Sequence, residues 1–145
     1  MSDVRVGVGV WVIKGGQVLM GQRQGAHGAG TWAPPGGHIE AWESAAETAV
    51  REVEEETGLV IKSPRIVGLT EDMFAEEGKH YVTLWLVAHW ISGEPVIREP
   101  TKCSQLCWVD LGDLPQPLFL TVRNMLKNDE LTAAVYPEVS WGSPS

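Results

Sequence analysis

The sequence predicts an α/β domain in which helices pack on one sheet. Segments rich in β-branched residues recur along the chain, two other segments carry helix signals, and glycine, proline and serine separate them. A length of 145 residues, with 43% hydrophobic and 21% charged residues, is typical of one soluble globular domain. We therefore expect residues 1–145 to form a single domain.

The first 37 residues are predicted to form a hairpin followed by a long loop. Residues 4–13 are rich in valine and are typical of a strand, and a turn at residues 14–16 leads to a returning strand at residues 17–21. Residues 23–37 contain five glycines and two prolines, a composition that favours an irregular loop with an ordered end.

A helix is predicted to follow this loop. Ser44 and Glu47 have the spacing of a capping box, in which two side chains satisfy backbone N–H groups of the first turn. Gly58 is placed to end the helix in the left-handed conformation that glycine adopts readily. The helix is therefore expected to lie between Ser44 and Gly58.

The second half of the chain supplies three more strands and a second helix. Residues 66–70, 81–90 and 106–109 have the composition of strands, and residues 118–126 favour a helix. Residues 137–145 are expected to be weakly structured and loosely ordered. No internal repeat or domain boundary interrupts this order, which predicts one sheet with helices packed on it.

Charge and composition exclude several classes of function. A net charge of −8 argues against binding a nucleic acid polymer over a broad surface. No apolar run approaches the roughly 20 residues of a membrane-spanning helix. The N-terminal MSDVRV lacks the pattern of a signal peptide, so we expect a cytoplasmic protein. Cys103 and Cys107 are interpreted as ordinary thiols, because a zinc site needs more cysteine or histidine.

Negative charge is concentrated on the first predicted helix. Glu52, Glu55 and Glu56 project within about 100° of arc, beside the apolar stripe. That stripe is predicted to consist of Ala46, Ala49, Val50 and Val53. Like charges at this spacing, close to a helix C-terminus, destabilise the helix unless a cation compensates them. Oxygen ligands favour Mg²⁺ or Mn²⁺, and without a cation the run would be a solvated acidic face.

The residues around this helix resemble a known motif. In order they are Gly37, five residues, Glu43, seven residues, Arg51-Glu52-Val53, one residue, Glu55-Glu56, one residue and Gly58-Leu59. This pattern resembles the complete Nudix box of the MutT/Nudix family. The resemblance implies the Nudix fold, an α/β/α sandwich with a mixed β-sheet, and a hydrolase that attacks a diphosphate linkage with water.

The resemblance also implies a metal site. Glu52 and Glu56 are expected to bind Mg²⁺, or alternatively Mn²⁺, with Glu55 as a further ligand and the carbonyl oxygen of Gly36 completing the set. The metal lowers the pKa of water and neutralises phosphate charge, and a glutamate accepts the proton. Members of the family differ in which glutamate does so. Glu52 and Glu55 on the helix are therefore catalytic candidates.

Two further roles follow from the same resemblance. Arg51 is expected to pair with Glu43 and hold the loop on the helix; the alternative is a surface arginine paired with Glu47. A distal glutamate is expected to bind metal or to act as the base. Glu99 is the preferred candidate over Glu76 and Glu77, and the alternative for each is an ordinary surface carboxylate.

Similarity beyond the box covers about residues 4–126 and suggests the MutT-homologue type of nucleoside triphosphate diphosphatase. It implies a homodimer and four substrate contacts. Arg23 is expected to contact phosphate, His38 phosphate or ribose, His80 the pocket, and Phe119 the base by stacking. The alternatives are a solvated strand-end arginine, loop packing for His38, and a core position for Phe119.

Three functions are consistent with these residues. The first is an Mg²⁺-dependent hydrolase that converts canonical or modified (d)NTPs to NMP and pyrophosphate, as in sanitation of the nucleotide pool. The second is hydrolysis of another diphosphate, such as ADP-ribose, a dinucleotide or an isoprenyl diphosphate. The third is a silent domain that binds a nucleotide and regulates a partner. Base selectivity depends on pocket contacts that motif spacing does not define.

Overall fold

A computed structural model describes residues 3–25 and 27–142, and for residues 136–142 it describes the backbone alone. Within these residues, seven strands, three α-helices and a short 3₁₀ helix (Ala75–Glu77) follow one another. The strands are β1 (Val4–Lys14), β2 (Gln17–Arg23), β3 (Trp32–Ala33), β4 (Gly36–His38), β5 (Val60–Phe74), β6 (Lys79–Ser92) and β7 (Cys103–Asp110). The helices are α1 (Ala45–Thr57), α2 (Leu120–Leu126) and α3 (Asp129–Gly142).

All seven strands belong to one mixed sheet, as predicted. The central order is β3-β2-β1-β6-β5, with β4 also paired to β1 and β7 also paired to β2. The β1–β6 pair is parallel, and every other strand pair in the described sheet is antiparallel. β1 therefore lies at the centre of the sheet, between the hairpin and the β5–β6 pair.

Alternation along β1 produces two cores on opposite faces of the sheet. Val8, Val10 and Val12 face α1 and belong to the core that contains Ala49 and Val53 of that helix. Trp11 and its neighbours face α2 and α3 in a second core. Helices thus cover both faces, which confirms the predicted α/β/α sandwich.

The ends of α1 confirm the sequence prediction. The Ser44 side chain accepts from the Glu47 backbone N–H at 3.1 Å, and the Glu47 carboxylate accepts from the Ser44 backbone N–H at 3.0 Å. Gly58 has φ 78° and donates its N–H to the Glu54 carbonyl. The helix therefore begins and ends where local chemistry places it.

The buried face of α1 differs from the predicted stripe. Ala49 and Val53 are fully buried as predicted, but Val50 is 38% exposed, and Thr48 and Thr57 are buried instead. Relative to the predicted stripe, the buried face is rotated toward the acidic residues. Glu56 lies beside this face and is partly buried.

Three other elements differ from the predicted ones. β5 extends over Val60–Phe74, well beyond residues 66–70, since pairing with β6 supports the whole length. β3 and β4 are short strands inside the predicted loop. Helix α3 was not predicted; its backbone is helical to Gly142, where weak structure was expected, and residues 143–145 lie outside the described part. No helix in the described ranges is long and apolar enough to cross a membrane.

Candidate active site

A cleft of about 700 Å³ opens between α1, the central strands and the loop before β7. One wall carries the acidic residues of α1, and the floor is the face of β1 and β6 that lies away from α1. The far end is aromatic, with Phe74, Tyr81 and Phe119. The cleft therefore joins an acidic region to an aromatic pocket.

Three carboxylates of α1 and one from a distant loop line the cleft, beside the more exposed Glu40. Glu52, Glu55 and Glu56 all face it, as the helical phasing predicts, and Glu99 lies on the loop that crosses opposite them. The charges of Glu52 and Glu99 both act on Glu56. The sheet thus brings together four acidic side chains separated by up to 47 positions in the chain.

Glu56 is partly buried in the wall of the cleft. Burial, followed by the negative charge of Glu52, raises the pKa of Glu56 to about 8. Its Oε2 accepts a hydrogen bond from the backbone N–H of Gly36 at 3.1 Å. A carboxylate placed in this way is suited to a cation, which would neutralise it without water.

Arg51 links the loop to the helix through Glu43, as predicted. Its Nε donates to Glu43 Oε2 at 2.7 Å and its Nη2 to Glu43 Oε1 at 2.9 Å. These bonds, with a further one from Thr48, lower the pKa of Glu43 to about 2. Arg51 therefore forms the bidentate pair with Glu43 that sets the entry of α1.

The same guanidinium also contacts the acidic wall. Nη1 of Arg51 lies 2.7 Å from Glu52 Oε1 and 3.2 Å from Glu55 Oε2. Nη2 donates to the His38 carbonyl oxygen at 3.2 Å. Burial raises the pKa of Glu52 despite the contact with Arg51, which acts in the opposite direction. Arg51 thus holds two of the carboxylates in position.

Gly37 allows the Glu52 carboxylate to lie against the backbone of β4. A Cβ at Gly37 would lie 2.3 Å from Glu52 Cδ. At Gly36 a Cβ would lie 2.1 Å from the carbonyl oxygen of Val8 in the neighbouring strand. Both glycines are therefore required for close approach, one to the side chain and one to the sheet.

The donor atoms of this wall fit a hard divalent cation. They are carboxylate oxygens beside the backbone of Gly36, and oxygen ligands are the kind that Mg²⁺ and Mn²⁺ prefer. Within residues 3–25 and 27–142, no three His, Cys, Asp or Glu side chains form a closed ligand cluster. Arg51 contacts Oε1 of Glu52 and Oε2 of Glu55, so an ion would bind the other oxygen of each carboxylate while Arg51 stays in place.

At the aromatic end, Arg23 and Phe119 lie together. The guanidinium carbon of Arg23 is 4.0 Å from the centroid of the Phe119 ring, and its Nε donates to the His27 carbonyl at 3.1 Å. Burial lowers the pKa of Arg23. Phe119 is 8% exposed and belongs to the core, so the core alternative is also satisfied. Both side chains line the cleft.

His38 also lines the cleft, where its ring stacks on Tyr81 with centroids 5.5 Å apart. His80, in contrast, is not among the cleft-lining residues. Alternate residues of a strand face opposite sides of the sheet, so the cleft receives Tyr81 and Thr83 while His80 faces away. The structure therefore does not bring His80 to the other predicted substrate residues.

The two alternatives to Glu99 are also placed elsewhere. Glu77 pairs with His27 Nδ1 at 2.6 Å, and neither Glu76 nor Glu77 lines the cleft. Glu99 itself lies 3.4 Å from the ammonium group of Lys102. Cys103 and Cys107 are free thiols. Cys103 lines the cleft, and in the described part of the chain neither thiol belongs to a group of His, Cys, Asp or Glu side chains that could hold a metal ion.

Sequence reasoning missed the floor of the cleft. Gly7 and Gly9 of β1 pair with Thr83 and Trp85 of β6, and all four line it. A Cβ at Gly9 would lie 2.4 Å from the ring of Trp85. The alternation of glycine and valine in residues 7–10 signals one face without side chains, and parallel pairing with β6 decides what covers it.

Comparison with known proteins assigns the chain to a family. The model described as NUDIX domain matches residues 3–128, so the chain belongs to the Nudix family. Hydrolases of this family generally use divalent metal ions. The 8-oxo-dGTP diphosphatase of Escherichia coli is 31% identical over 120 residues, covering 79% of this chain and 90% of that protein.

Another relative carries a different name. The ADP-ribose pyrophosphatase of Methanocaldococcus jannaschii is 29% identical over 106 residues, covering 73% of this chain and 62% of that protein. The chain spans 54% and 36% of the length of two further bacterial relatives. The names of these relatives therefore do not agree on one substrate.

Among solved structures, a MutT NUDIX hydrolase from Burkholderia pseudomallei is similar to this chain over nearly its whole length. The TM-score is 0.80 at 34% identity, with 90% of this chain and 98% of that chain covered. The Nudix domain of NrtR from Shewanella oneidensis, solved with ADP ribose, has a TM-score of 0.74 at 20% identity and so shares the fold.

Proposed function

We propose that this protein is an Mg²⁺-dependent nucleoside triphosphate diphosphatase, which converts (d)NTPs to NMP and pyrophosphate. One observation carries the proposal: the carboxylates of α1 and the pocket formed by Arg23 and Phe119 belong to one continuous cleft. Its volume of about 700 Å³ lies in the range of small-molecule sites. A triphosphate at the acidic wall would place its base among the aromatic rings.

Each protein group has a task in this reaction. Glu52, Glu56 and the Gly36 carbonyl would hold Mg²⁺, which supplies charge neutralisation and a more acidic water. Arg51, braced by Glu43, keeps the Glu52 side chain close to that position. Arg23, which lines the same cleft, would neutralise phosphate charge, and His38 would contact phosphate or ribose.

The hydrolysis forms one bond to phosphorus and breaks one phosphoanhydride bond. A water oxygen attacks phosphorus, the pyrophosphate leaves, and the water proton passes to a glutamate. Glu55 and Glu99 are the two candidates, since both line the cleft and both are more exposed than Glu56. Separate Gln variants of Glu55 and Glu99 distinguish them, because loss of the acceptor lowers kcat more than it raises KM.

A second candidate is hydrolysis of ADP-ribose or another diphosphate, including a dinucleotide or an isoprenyl diphosphate. Similarity to the Methanocaldococcus jannaschii enzyme favours ADP-ribose among these. The same acidic wall would serve all of them, because each contains a diphosphate. These substrates differ in the chemical group that the aromatic end of the cleft would have to bind.

The test is a product-release assay with Mg²⁺ on a panel of diphosphate compounds. The panel contains the canonical (d)NTPs, 8-oxo-dGTP, ADP-ribose and geranyl diphosphate. We expect nucleoside triphosphates to give NMP and pyrophosphate with the highest kcat/KM. If none of them yields these products while ADP-ribose is split, the second candidate replaces the first.

We also propose that the protein is a homodimer. Exposed apolar side chains of β1 and β5 support it, because they form a patch on the same face of the sheet as α1, beyond the part that α1 covers. The patch consists of Val4, Val6, Leu69 and Met73, which are 55%, 42%, 51% and 61% exposed. Contiguous exposed apolar surface of this kind is typical of an interaction site.

A further inference from the structure

A buried carboxylate that takes no part in the proposed hydrolysis lies directly behind the floor of the cleft. Asp72 on β5 is fully buried. Its Oδ2 accepts hydrogen bonds from the hydroxyl groups of Thr70 and Thr83, and its Oδ1 accepts one from Asn124 Nδ2 at 2.9 Å. The indole N–H of Trp85 donates to Thr70 Oγ at 3.0 Å. Buried polar groups linked so completely fix one another's orientation.

The direction of every hydrogen bond in this network is set by its end members. The Trp85 indole can only donate, so Thr70 accepts from it and turns its own proton to Asp72. The amide of Asn124 also donates. Asp72 is therefore the acceptor at the centre, and the Thr83 hydroxyl proton points toward it. Thr83 Oγ is left with its lone pairs as an acceptor.

Thr83 carries the hydroxyl of the network that faces the substrate side. It is 8% exposed and lines the cleft together with Trp85, whereas Thr70, Asp72 and Asn124 do not. The strand register places Gly7 between His38 of β4 and Thr83 of β6. A Cβ at Gly7 would lie 3.0 Å from the Gly37 carbonyl oxygen, so glycine lets β4 lie close to the strand that pairs with Thr83.

We propose that Asp72 is a specificity-determining positioning residue, which holds Thr83 as a hydrogen-bond acceptor and so selects bases that present an N–H donor. The inference rests on the proposed function and adds the chemistry of the base to it. The ligand class is a nucleobase with an amino or imino donor edge at Thr83. A base with an acceptor there would leave two acceptors facing each other, which a buried site rejects.

The test compares substrates that differ by one donor group. The pairs are ATP with purine riboside triphosphate, GTP with ITP, and GTP with O6-methyl-GTP. For wild-type protein with Mg²⁺, we expect kcat/KM to favour the donor-bearing member of at least one pair by about tenfold. Thr83→Val removes this preference, and Thr83→Ser keeps it because serine retains the hydroxyl.

Asp72→Asn tests the role of the carboxylate itself. The amide of asparagine can donate to Thr83, which frees the hydroxyl proton for the cleft, so the ratio within the sensitive pair falls toward or below one. If circular dichroism shows that Asp72→Asn does not fold, the Thr83→Val and Thr83→Ser variants still test the proposal. Thr132→Val on α3 is the matched control, because its hydroxyl bonds the Met125 carbonyl away from the cleft.

The outcomes separate the two proposals. If wild-type protein hydrolyses nucleoside triphosphates but Thr83→Val leaves every pair ratio unchanged, the role of Asp72 and Thr83 is overturned and the proposed function stands. If no nucleoside triphosphate is hydrolysed, the proposed function falls and this inference falls with it. A ratio that changes equally in Thr132→Val would also overturn it, since the effect would then be independent of the cleft.

Discussion

At the residue scale, the burial of the Glu56 carboxyl group disfavours its negatively charged form in the metal-free protein. Its pKa is raised to about 8 by burial and by Glu52, while the Gly36 N–H acts in the opposite direction. A side chain retained for stability alone would not be an acid at such a position. Burial therefore points to a cation as the missing partner of Glu56.

Glu56→Gln is expected to lower kcat/KM by on the order of a hundredfold or more, because a neutral amide binds Mg²⁺ poorly. The metal-free fold should be at least as stable, because the amide is neutral in a site that raises the pKa of Glu56 to about 8. Thermal unfolding with and without Mg²⁺ measures this directly, since a ligand that binds the native state raises its midpoint. Mg²⁺ should shift the wild-type midpoint but not that of the variant.

Glu54→Gln is the matched control, since Glu54 lies on the same helix with its side chain exposed. It should keep both the activity and the Mg²⁺ shift. Wild-type turnover in Glu56→Gln would remove Glu56 from the metal site.

Glu43 gives the stability of the metal-free protein a pH dependence. Its pKa is lowered from 4.5 to about 2 by Arg51 and then by Thr48. The unfolded chain therefore binds the proton at a higher pH than the folded chain does. The stabilisation from Glu43 is complete above pH 4.5 and is lost as the pH falls through about 2.

Glu43→Gln should flatten the fall in the free energy of unfolding between these pH values, measured by urea unfolding. Glu40→Gln provides the comparison, because Glu40 lies 3.7 Å from the same guanidinium and is 70% exposed. It should leave the slope close to that of wild type. Equal slopes in Glu43→Gln and wild type would mean that the pair contributes nothing over this range.

At the element scale, β4 fixes the distance between the sheet and the acidic wall. It pairs with β1 through Gly36 and Gly37, and α1 packs against both strands. The two glycines meet different obstacles. At Gly37 the obstacle is the end of the Glu52 side chain, while at Gly36 it is the backbone of β1. Their alanine variants should therefore fail in different ways.

Gly37→Ala is expected to displace the Glu52 carboxylate and lower kcat/KM at least about tenfold, with a stability change within about 1 kcal/mol. Gly36→Ala should lower the free energy of unfolding by about 3 kcal/mol, because backbone atoms cannot move aside. Urea unfolding and the release assay separate the two effects. Gly112→Ala, where a Cβ meets nothing within 4 Å, is the control. Equal loss of stability in both variants would contradict this distinction.

Elements with local signals were predicted well from the sequence. The capping box of Ser44 and the left-handed Gly58 depend on residues within one turn, so α1 was placed correctly. The bounds of β5 and the existence of α3 depend on pairing and packing with distant segments. Val50 was misplaced for the same reason, since only the sheet decides which face of a helix is buried.

The candidate site shows the same division. The acidic wall and the Arg51–Glu43 pair come from one contiguous motif, and the structure brings these residues together. The floor comes from the register of β1 with β6, which carries Thr83 into the cleft and turns His80 away. The network around Asp72 has no motif, because it joins two strands and a helix.

At the scale of the whole molecule, the two faces of the sheet are covered unequally. α1 covers the central part of one face, beyond which apolar residues of β1, β5 and β6 stay accessible. Val4, His80 and Met73 lie in one row across these strands, with Val6, Val82 and Glu71 in the next. This end of the sheet lies on the opposite face from the cleft, so a partner here would leave the cleft open.

The proposed homodimer predicts that one charge in this patch separates the subunits. Met73→Asp should give a monomer in light scattering coupled to size exclusion, because burying an unpaired carboxylate in an apolar interface costs several kcal/mol. Circular dichroism should stay that of wild type, since Met73 is 61% exposed. Val96→Asp, at a position 56% exposed in the loop before β7, should remain dimeric. A wild-type protein that stays monomeric across the micromolar range would exclude the dimer, and a dimer unaffected by Met73→Asp would place its interface elsewhere.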